Sequence, residues 1–296
     1  MRKRKISCLM IFLISAVTIF FLIRIMAGAQ RASFEEGEFL FKEGKFEEAA
    51  KFFEKAAEEE PENIDSFLRL AEISLFSNRL DEAEKWLNKV FKLRPDEKKA
   101  KSLLAEVYYR QDDFKKASLL FMDLGRNAAA EKYASFRGQK PYRIKSKTRI
   151  TALDFVITDP LPVVGVRVNG SEEVNFIIDT GASELVIDSD FAEEIGAQKF
   201  GSETGTFAGG KKAPYEQGRV DSLVLGDFLI QNVPVHMMNV RQFSKPIFRD
   251  LRIDGIIGTV LFYHFLSTLD YEQGKLILAR KNKKNLKRLL DFASAA

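Results

Sequence analysis

One short segment of the sequence combines residue types that can carry out acid–base chemistry. Asp179-Thr180-Gly181-Ala182 directly follows the apolar run 176–178, and a second apolar run begins at Leu185. A strand of this kind delivers an aspartate to the interior of a domain, and the glycine allows the tight turn that presents the carboxylate. Because an unpaired buried charge is costly, we expect Asp179 to have a partner or a chemical role. The segment alone leaves open a surface turn in another β fold.

The composition disfavours most other kinds of catalytic centre. The 296 residues include one Cys and two His. A disulfide framework and a cysteine zinc cluster are therefore excluded, and a histidine metal site or a Ser-His-Asp triad has little support. We expect no metal and no cofactor, and we expect any catalysis to depend on carboxylates.

The net charge of +4 comes from the ends of the chain. Six Lys and Arg residues precede residue 32 and six follow residue 279, so the body between them is mildly acidic. A nucleic-acid-binding protein would instead concentrate positive charge on a folded face. We therefore expect no nucleic-acid partner.

The elements that would position Asp179 are short β strands. Beyond residue 147, apolar runs alternate with turns, and Asn169-Gly170 is typical of a hairpin. Short helices are predicted at 191–195 and after Gly258. The predicted strands are Leu153–Ile157, Val163–Val168, Val174–Ile178, Leu185–Ile187, Val220–Leu225, Val233–Met238 and Leu276–Leu278.

A second motif lies well beyond Asp179 in the sequence and helps to identify the kind of domain that contains the Asp179 segment. It is Asp254-Gly255-Ile256-Ile257-Gly258, followed by an Asp-Tyr hairpin at 269–278. Together the two motifs resemble the retropepsin-like aspartic peptidases (clan AA), in their bacterial form, over roughly residues 150–280. The resemblance implies a mostly-β, single-lobe acid protease barrel.

The resemblance also implies a role for each motif residue. Asp179 corresponds to the catalytic aspartate, Thr180 to the residue whose hydroxyl ties two active-site loops together, and Gly181 to an N–H donor for the carboxylate. Ala182 occupies the small position after them. The loop that passes under the active site and leads into a helix corresponds to Ile256, Ile257 and Gly258.

A glycine-rich segment at 204–210 stands where this family has its flap, the hairpin that closes over a bound peptide. The flap candidates are Gly205, Phe207, Gly209 and Gly210. A plain surface hairpin with glycine turns remains an equal alternative.

The sequence holds a single Asp-Thr-Gly, whereas this chemistry needs two carboxylates. Two aspartates about 3 Å apart share one proton, so one can activate water while the other protonates the carbonyl oxygen. A domain over 140–282 is half the size of a two-lobed peptidase. We therefore expect a homodimer in which each chain contributes Asp179.

The segment before the β region is periodic. Several apolar or small positions recur at one constant interval, and the pattern resembles the tetratricopeptide repeat, whose period is about 34 residues. About three copies and a capping helix occupy 32–139. Such all-α solenoids present a groove to a protein or peptide partner. The aligned sets are Gly37, Ala71 and Ala105; Phe46, Leu80 and Phe114; Ala49, Ala83 and Ala117; and Phe53, Leu87 and Phe121.

The two ends of the chain predict a cell-envelope location. Residues 1–31 contain a basic cluster and the uncharged run 6–23, which is long enough for a membrane anchor; a cleaved signal peptide is the alternative. Both predict folded domains on the periplasmic side, with anchoring in the inner membrane in the first case. The tail 283–296 is basic, and either a solvated helix or contact with an anionic membrane fits it.

The sequence thus predicts a multidomain, membrane-tethered aspartic endopeptidase. In this interpretation the repeats recruit a protein substrate or partner, and two copies of Asp179 activate the water. The alternative is a non-catalytic dimeric adaptor that binds proteins through the repeat groove.

Overall fold

The computed structural model describes residues 33–283 and 285–287. The chain divides into two units between Val107 and Tyr108, a position inside one helix. The predicted anchor and leader (1–31) lie outside the described residues, and so does most of the basic tail. The domain boundaries drawn from the sequence remain predictions.

The first unit consists of helices in antiparallel pairs. Residues that recur at the repeat interval lie between them: Ala49, Ala71 and Ala83 are fully buried. At Gly37, a Cβ would lie 2.7 Å from the ring of Phe53. Small residues at these positions let neighbouring helices approach closely. The helices are 33–42 (α1), Phe46–Glu59 (α2), Ile64–Phe76 (α3), Leu80–Leu93 (α4) and Lys98–Arg110 (α5), which continues into the second unit.

The turns between paired helices share one backbone feature. Gly44, Asn78 and Asp112 have φ of 75°, 53° and 61°, and they follow one another at the same interval as the repeat. Glycine, asparagine and aspartate tolerate this left-handed conformation better than other residues. The repeat therefore fixes the turns as well as the packing.

The predicted location, anchored in the inner membrane with the folded domains in the periplasm, is contradicted. No helix among the described residues is long and apolar enough to cross a membrane. The longest described helices have 14 residues, about 21 Å at 1.5 Å per residue, against a hydrocarbon core of about 30 Å. The run 6–23, on which the span was predicted, lies outside the described residues.

The second unit begins with two helices, Phe114–Asp123 (α6) and Asn127–Ala134 (α7). The ring of Phe114 packs against Tyr133 at 4.9 Å and Phe136 at 5.0 Å between ring centroids. These aromatic contacts join the last helices into one apolar cluster.

A single 11-stranded sheet makes up most of this unit. The strands are Arg143–Ile144 (β1), Ile150–Ile157 (β2), Val163–Val168 (β3), Val174–Ile178 (β4), Leu185–Asp188 (β5), Gln198–Thr206 (β6), Lys212–Leu225 (β7), Phe228–Met238 (β8), Gly255–Ile257 (β9), Phe265–Asp270 (β10) and Lys275–Arg280 (β11). Their order is β10-β11-β2-β3-β4-β9-β5-β8-β7-β6, with β1 on β8. Because β3 also pairs with β7, the sheet curls into a barrel.

The predicted fold class, a helical repeat region followed by a mostly-β barrel, is confirmed. Each predicted strand lies inside an observed one, and the helices near 191 and after Gly258 are Ser189–Glu194 (α8) and Thr259–Phe262 (α10). At the predicted hairpin, Asn169 and Gly170 have φ of 51° and 77°, as a tight turn of this type requires. The sequence did not predict β1, β6, β9, β10 or the helix Val240–Phe248 (α9). Ile256 and Ile257, which the resemblance placed in a loop, lie on strand β9 because this segment pairs with both β4 and β5.

Candidate active site

The loop that carries Asp179 is held by its own backbone. Asp179 stands directly after β4, half-buried, and Gly181 N–H donates to its Oδ1 at 2.8 Å. The backbone N–H of Ala182 donates to the Asp179 carbonyl at 3.2 Å. Thr180 and Gly181 are exposed. The four predicted residues thus form one tight turn that presents a carboxylate at the surface of the barrel.

Strand β9 runs between the two strands that flank this loop. It pairs in parallel with β4, where Ile257 faces Ile178, and antiparallel with β5, where Ile257 faces Leu185. Asp179 N–H also donates to the Ile257 carbonyl at 3.1 Å. Two motifs far apart in sequence, 179–182 and 256–258, are therefore adjacent in the fold. Ile257 is fully buried, and Ile256 is half-buried.

Gly258 makes the closest approach to the loop. A Cβ at this position would lie 2.4 Å from the Glu184 carbonyl oxygen and 2.6 Å from that of Ser183. The following residue, Thr259, donates to the Ala182 carbonyl through its N–H at 2.9 Å and its hydroxyl at 3.1 Å. Helix α10 thus begins in contact with the Asp179 loop.

The residues predicted as a flap form a hairpin tip. β6 and β7 pair along their length, and a single turn of 3-10 helix at Ala208–Gly210 joins them. Gly209 and Gly210 both have φ of 74°, and Phe207 is 36% exposed. Within the described residues, no hydrogen bond joins this tip to 179–182. Gly205 packs against the Tyr215 ring.

Two other aspartates in this unit are buried, but both are fully engaged. Asp188 accepts from the backbone N–H groups of Asp190 at 3.0 Å and Arg241 at 2.9 Å. Asp254 accepts from Arg241 Nε at 2.9 Å and Arg252 Nε at 2.8 Å. Sequence reasoning did not identify this cluster. Its members are structural, because each carboxylate is neutralised by a guanidinium or caps a helix.

Both histidines are half-buried. Burial, with Lys132 and Arg126 nearby, lowers the pKa of His236 well below its usual value, and its ring lies against Tyr215. Burial lowers the pKa of His264 to about 4. The described residues contain no group of three or more side chains able to hold a metal ion.

Two family models match the chain in separate regions. Residues 164–261 match the model described as aspartyl protease, and residues 40–105 match a tetratricopeptide repeat. The chain joins tetratricopeptide repeats to an aspartic protease-like domain. The match to the protease-like domain begins in β3 and ends in α10, so it includes both Asp179 and β9.

Solved structures similar to parts of the chain include proteins of both kinds. A retropepsin-like aspartic protease from Rickettsia conorii is 17% identical, with 47% of this chain and 96% of that chain covered and a TM-score of 0.31. The Arabidopsis OM64 tetratricopeptide domain is 18% identical, covering 36% and 92%, with a TM-score of 0.33. The first tetratricopeptide domain of Spaghetti (RPAP3), bound to an HSP90 peptide, is 20% identical, covering 37% and 94%, with a TM-score of 0.34. Comparison with curated proteins gave no match.

Proposed function

We propose that the protease-like domain is an aspartic endopeptidase and that Asp179 is its catalytic carboxylate. The observation that carries the proposal is the setting of Asp179. It is half-buried, its Oδ1 accepts the Gly181 N–H, and β9 supports its loop from beneath. A carboxylate in this setting has a fixed orientation and access to solvent, as water activation requires.

The reaction needs a second carboxylate, and we infer that a second copy of the chain supplies it. Asp188 and Asp254, the buried aspartates of the described residues, are already bound to backbone N–H groups or arginines. Thr180 and Gly181 are exposed beside Asp179, which leaves this side of the loop open to a partner. A homodimer related by two-fold symmetry would place two Asp179 loops face to face.

In such a dimer the two Asp179 carboxylates share one proton. The ionised carboxylate takes a proton from a water molecule, which attacks the carbonyl carbon of the peptide. The protonated carboxylic acid gives its proton to the carbonyl oxygen. Collapse of the tetrahedral intermediate then breaks the C–N bond, and the amine leaves with a proton from the dyad. The Thr180 hydroxyl would hold the two loops together.

The repeats would recruit a protein substrate or partner. Support comes from a groove of about 380 Å³ in the first unit, whose lining includes both charged and apolar side chains. Such a surface suits a peptide that carries both signs of charge. The charged residues of this lining are Glu38, Asp65, Arg69, Arg94, Glu97 and Lys99.

The test compares wild type with Asp179→Asn on a peptide library, with products identified by mass spectrometry. We expect wild type to cleave and the variant to lose cleavage, because asparagine cannot accept the proton of water. Asp154→Asn is the matched control, since Asp154 is 84% exposed on β2 and we expect its loss to leave cleavage intact.

Dilution tests the shared site separately. Specific activity should fall as the dimer dissociates, whereas a value independent of concentration would exclude a dyad built from two chains. Cleavage by Asp179→Asn at the wild-type rate would refute the catalytic role of Asp179. A wild-type dimer that binds peptides without cleaving any would identify the protein as an adaptor instead.

A further inference from the structure

A largely buried carboxylate joins the predicted flap hairpin to the helices that precede the barrel. Glu203 lies on β6, opposite Tyr215 on β7, and its side chain is 13% exposed. Its carboxylate accepts hydrogen bonds from Arg126 Nη2 at 2.6 Å, Tyr215 OH at 2.9 Å and Gln217 Nε2 at 3.0 Å. The backbone N–H of Ala129, in α7, adds a fourth at 3.3 Å.

The charges around Glu203 favour its ionised form. Burial alone would raise the pKa of Glu203, but the hydrogen bonds from Arg126, Gln217 and Tyr215 hold it below the usual value. A second cation, Lys132 of α7, is fully buried nearby, and its Nζ has no hydrogen-bond partner among the described residues. Burial lowers the pKa of Lys132 to about 8, against the opposing influence of Glu184 and Glu203. The cluster therefore ties the hairpin to α7 through charge as well as through hydrogen bonds.

Residues after α7 contact the other strand of the hairpin, and Tyr109 of α5 contacts the segment after the Asp179 loop. Arg219 of β7 donates to the Ser135 carbonyl at 2.7 Å and also to the Gln139 side chain. Tyr109 donates to Glu184 Oε2 at 2.6 Å. Glu184 follows the Asp179 loop, and its carbonyl lies against Gly258. Hydrogen bonds therefore join the helical residues to the hairpin and to the residue that follows Ser183.

A second ion-pair group on this hairpin lacks such a connection. Lys199 of β6 pairs with Glu193 at 2.9 Å and with Glu216 of β7 at 3.4 Å, and the Lys199 and Glu216 side chains are about one-third exposed. Glu193 belongs to α8, and no residue of this group belongs to α6 or α7. The group therefore serves as an internal reference: it contains charged residues of the hairpin that are not paired with α6 or α7.

We propose that Glu203 is a positioning residue for the flap and that Arg126 and α7 are its anchor. The helices that follow the matched repeats then belong to the catalytic machinery rather than to substrate recruitment. This inference rests on the proposed peptidase function. It adds that the helices fix the hairpin at Glu203 and that the rest of the hairpin closes over the substrate. Loosening this attachment therefore weakens substrate binding more than it slows the chemical step.

The experiment uses the full chain with Glu203→Gln, Arg126→Gln, the double variant and the control Glu216→Gln. Hydrogen–deuterium exchange over 198–218 measures the hairpin directly. Loss of one charge-assisted anchor should raise exchange there about tenfold, the ratio that corresponds to about 1.4 kcal/mol of opening free energy. KM for a cleaved peptide should rise about tenfold while kcat stays within about twofold. The double variant should match the stronger single variant, because the two residues form one contact.

Unchanged exchange and KM in both single variants, or an equal effect of Glu216→Gln, would overturn the inference. Arg126 is 41% exposed, so Arg126→Gln keeps the test valid if Glu203→Gln fails to fold. The exchange measurement needs no catalysis. If wild type cleaves no peptide, the proposed function fails while the exchange data still show whether the helices anchor the hairpin.

Discussion

Gly258→Ala tests whether close packing beneath the Asp179 loop positions the carboxylate. Gly258 has φ of −86° and ψ of 175°, an extended conformation that alanine adopts without strain. The cost of the substitution is therefore steric. The new Cβ would meet the carbonyl oxygens of Glu184 and Ser183 at 2.4 and 2.6 Å, and backbone cannot swing aside as a flexible side chain does.

The size of the effect follows from these distances. Ordinary van der Waals contacts begin near 3.4 Å, so the two segments must separate by about 1 Å. A displacement of about 1 Å in a catalytic group can cost about 100-fold in rate. We expect a similar loss in kcat/KM, together with a loss of about 1–3 kcal/mol in the free energy of unfolding, typical of overpacking.

The assay pairs peptide cleavage with urea unfolding and includes Gly274→Ala as a control. Gly274 lies in the turn between β10 and β11 with φ of 63° and open space around its missing Cβ. Alanine there should cost about 1 kcal/mol through the left-handed backbone and leave kcat/KM unchanged. Wild-type kcat/KM and wild-type stability in Gly258→Ala would refute the argument that this contact positions the loop.

Two further substitutions test the electrostatics and the repeats. Burial raises the pKa of the Asp112 carboxyl group from 3.8 to about 7. The folded protein therefore binds the carboxyl proton more tightly than the unfolded chain does, and the free energy of unfolding falls as pH rises from about 4 to 7. In urea unfolding, Asp112→Asn should stabilise the protein by about 2–4 kcal/mol at pH 8 and have almost no effect at pH 4. An equal effect at the two pH values would contradict the raised pKa. Asn63 caps α3 by accepting from Asp65 N–H at 3.1 Å. Asn63→Ala should cost about 1 kcal/mol of stability with kcat unchanged, and unaltered unfolding would exclude the cap.

The repeats were predictable because the residues that pack their helices recur at a constant interval within short segments of the sequence. Each helix pair has small and large residues at the same positions, so the constant spacing is visible in the amino-acid sequence. Ala49 and Ala83 are fully buried, as a packing position requires. The two motifs 179–182 and 254–258 could be recognised in the sequence for a different reason, although the second was expected to be a loop and its residues Gly255–Ile257 form strand β9. Both are short motifs with glycines at positions where geometry leaves no alternative, such as Gly258.

Elements without a local apolar pattern could not be predicted. Strand β6 is mostly exposed and polar, so it shows no alternation; its pairing with the longer β7 makes it a strand. Helix α9 contains Pro246, which argues against a helix, yet tertiary contacts of its buried Val240 and Phe248 outweigh that preference. In both cases the decisive interaction comes from residues distant in sequence.

Glu203 could not be predicted as a functional residue for the same reason, because its contacts come from residues distant in sequence. A glutamate in a polar strand resembles any solvated residue until α7 brings Arg126 and the Ala129 N–H to its carboxylate. If α6 and α7 served only to end a recruiting solenoid, their surface toward the barrel would need no buried charge. Instead they place two cations, Arg126 and Lys132, around a carboxylate on the flap strand. Burying a charge is costly unless it is paired and hydrogen-bonded, and here Lys132 is fully buried beside a Glu203 side chain that is 13% exposed. This arrangement favours a helical segment that positions the hairpin.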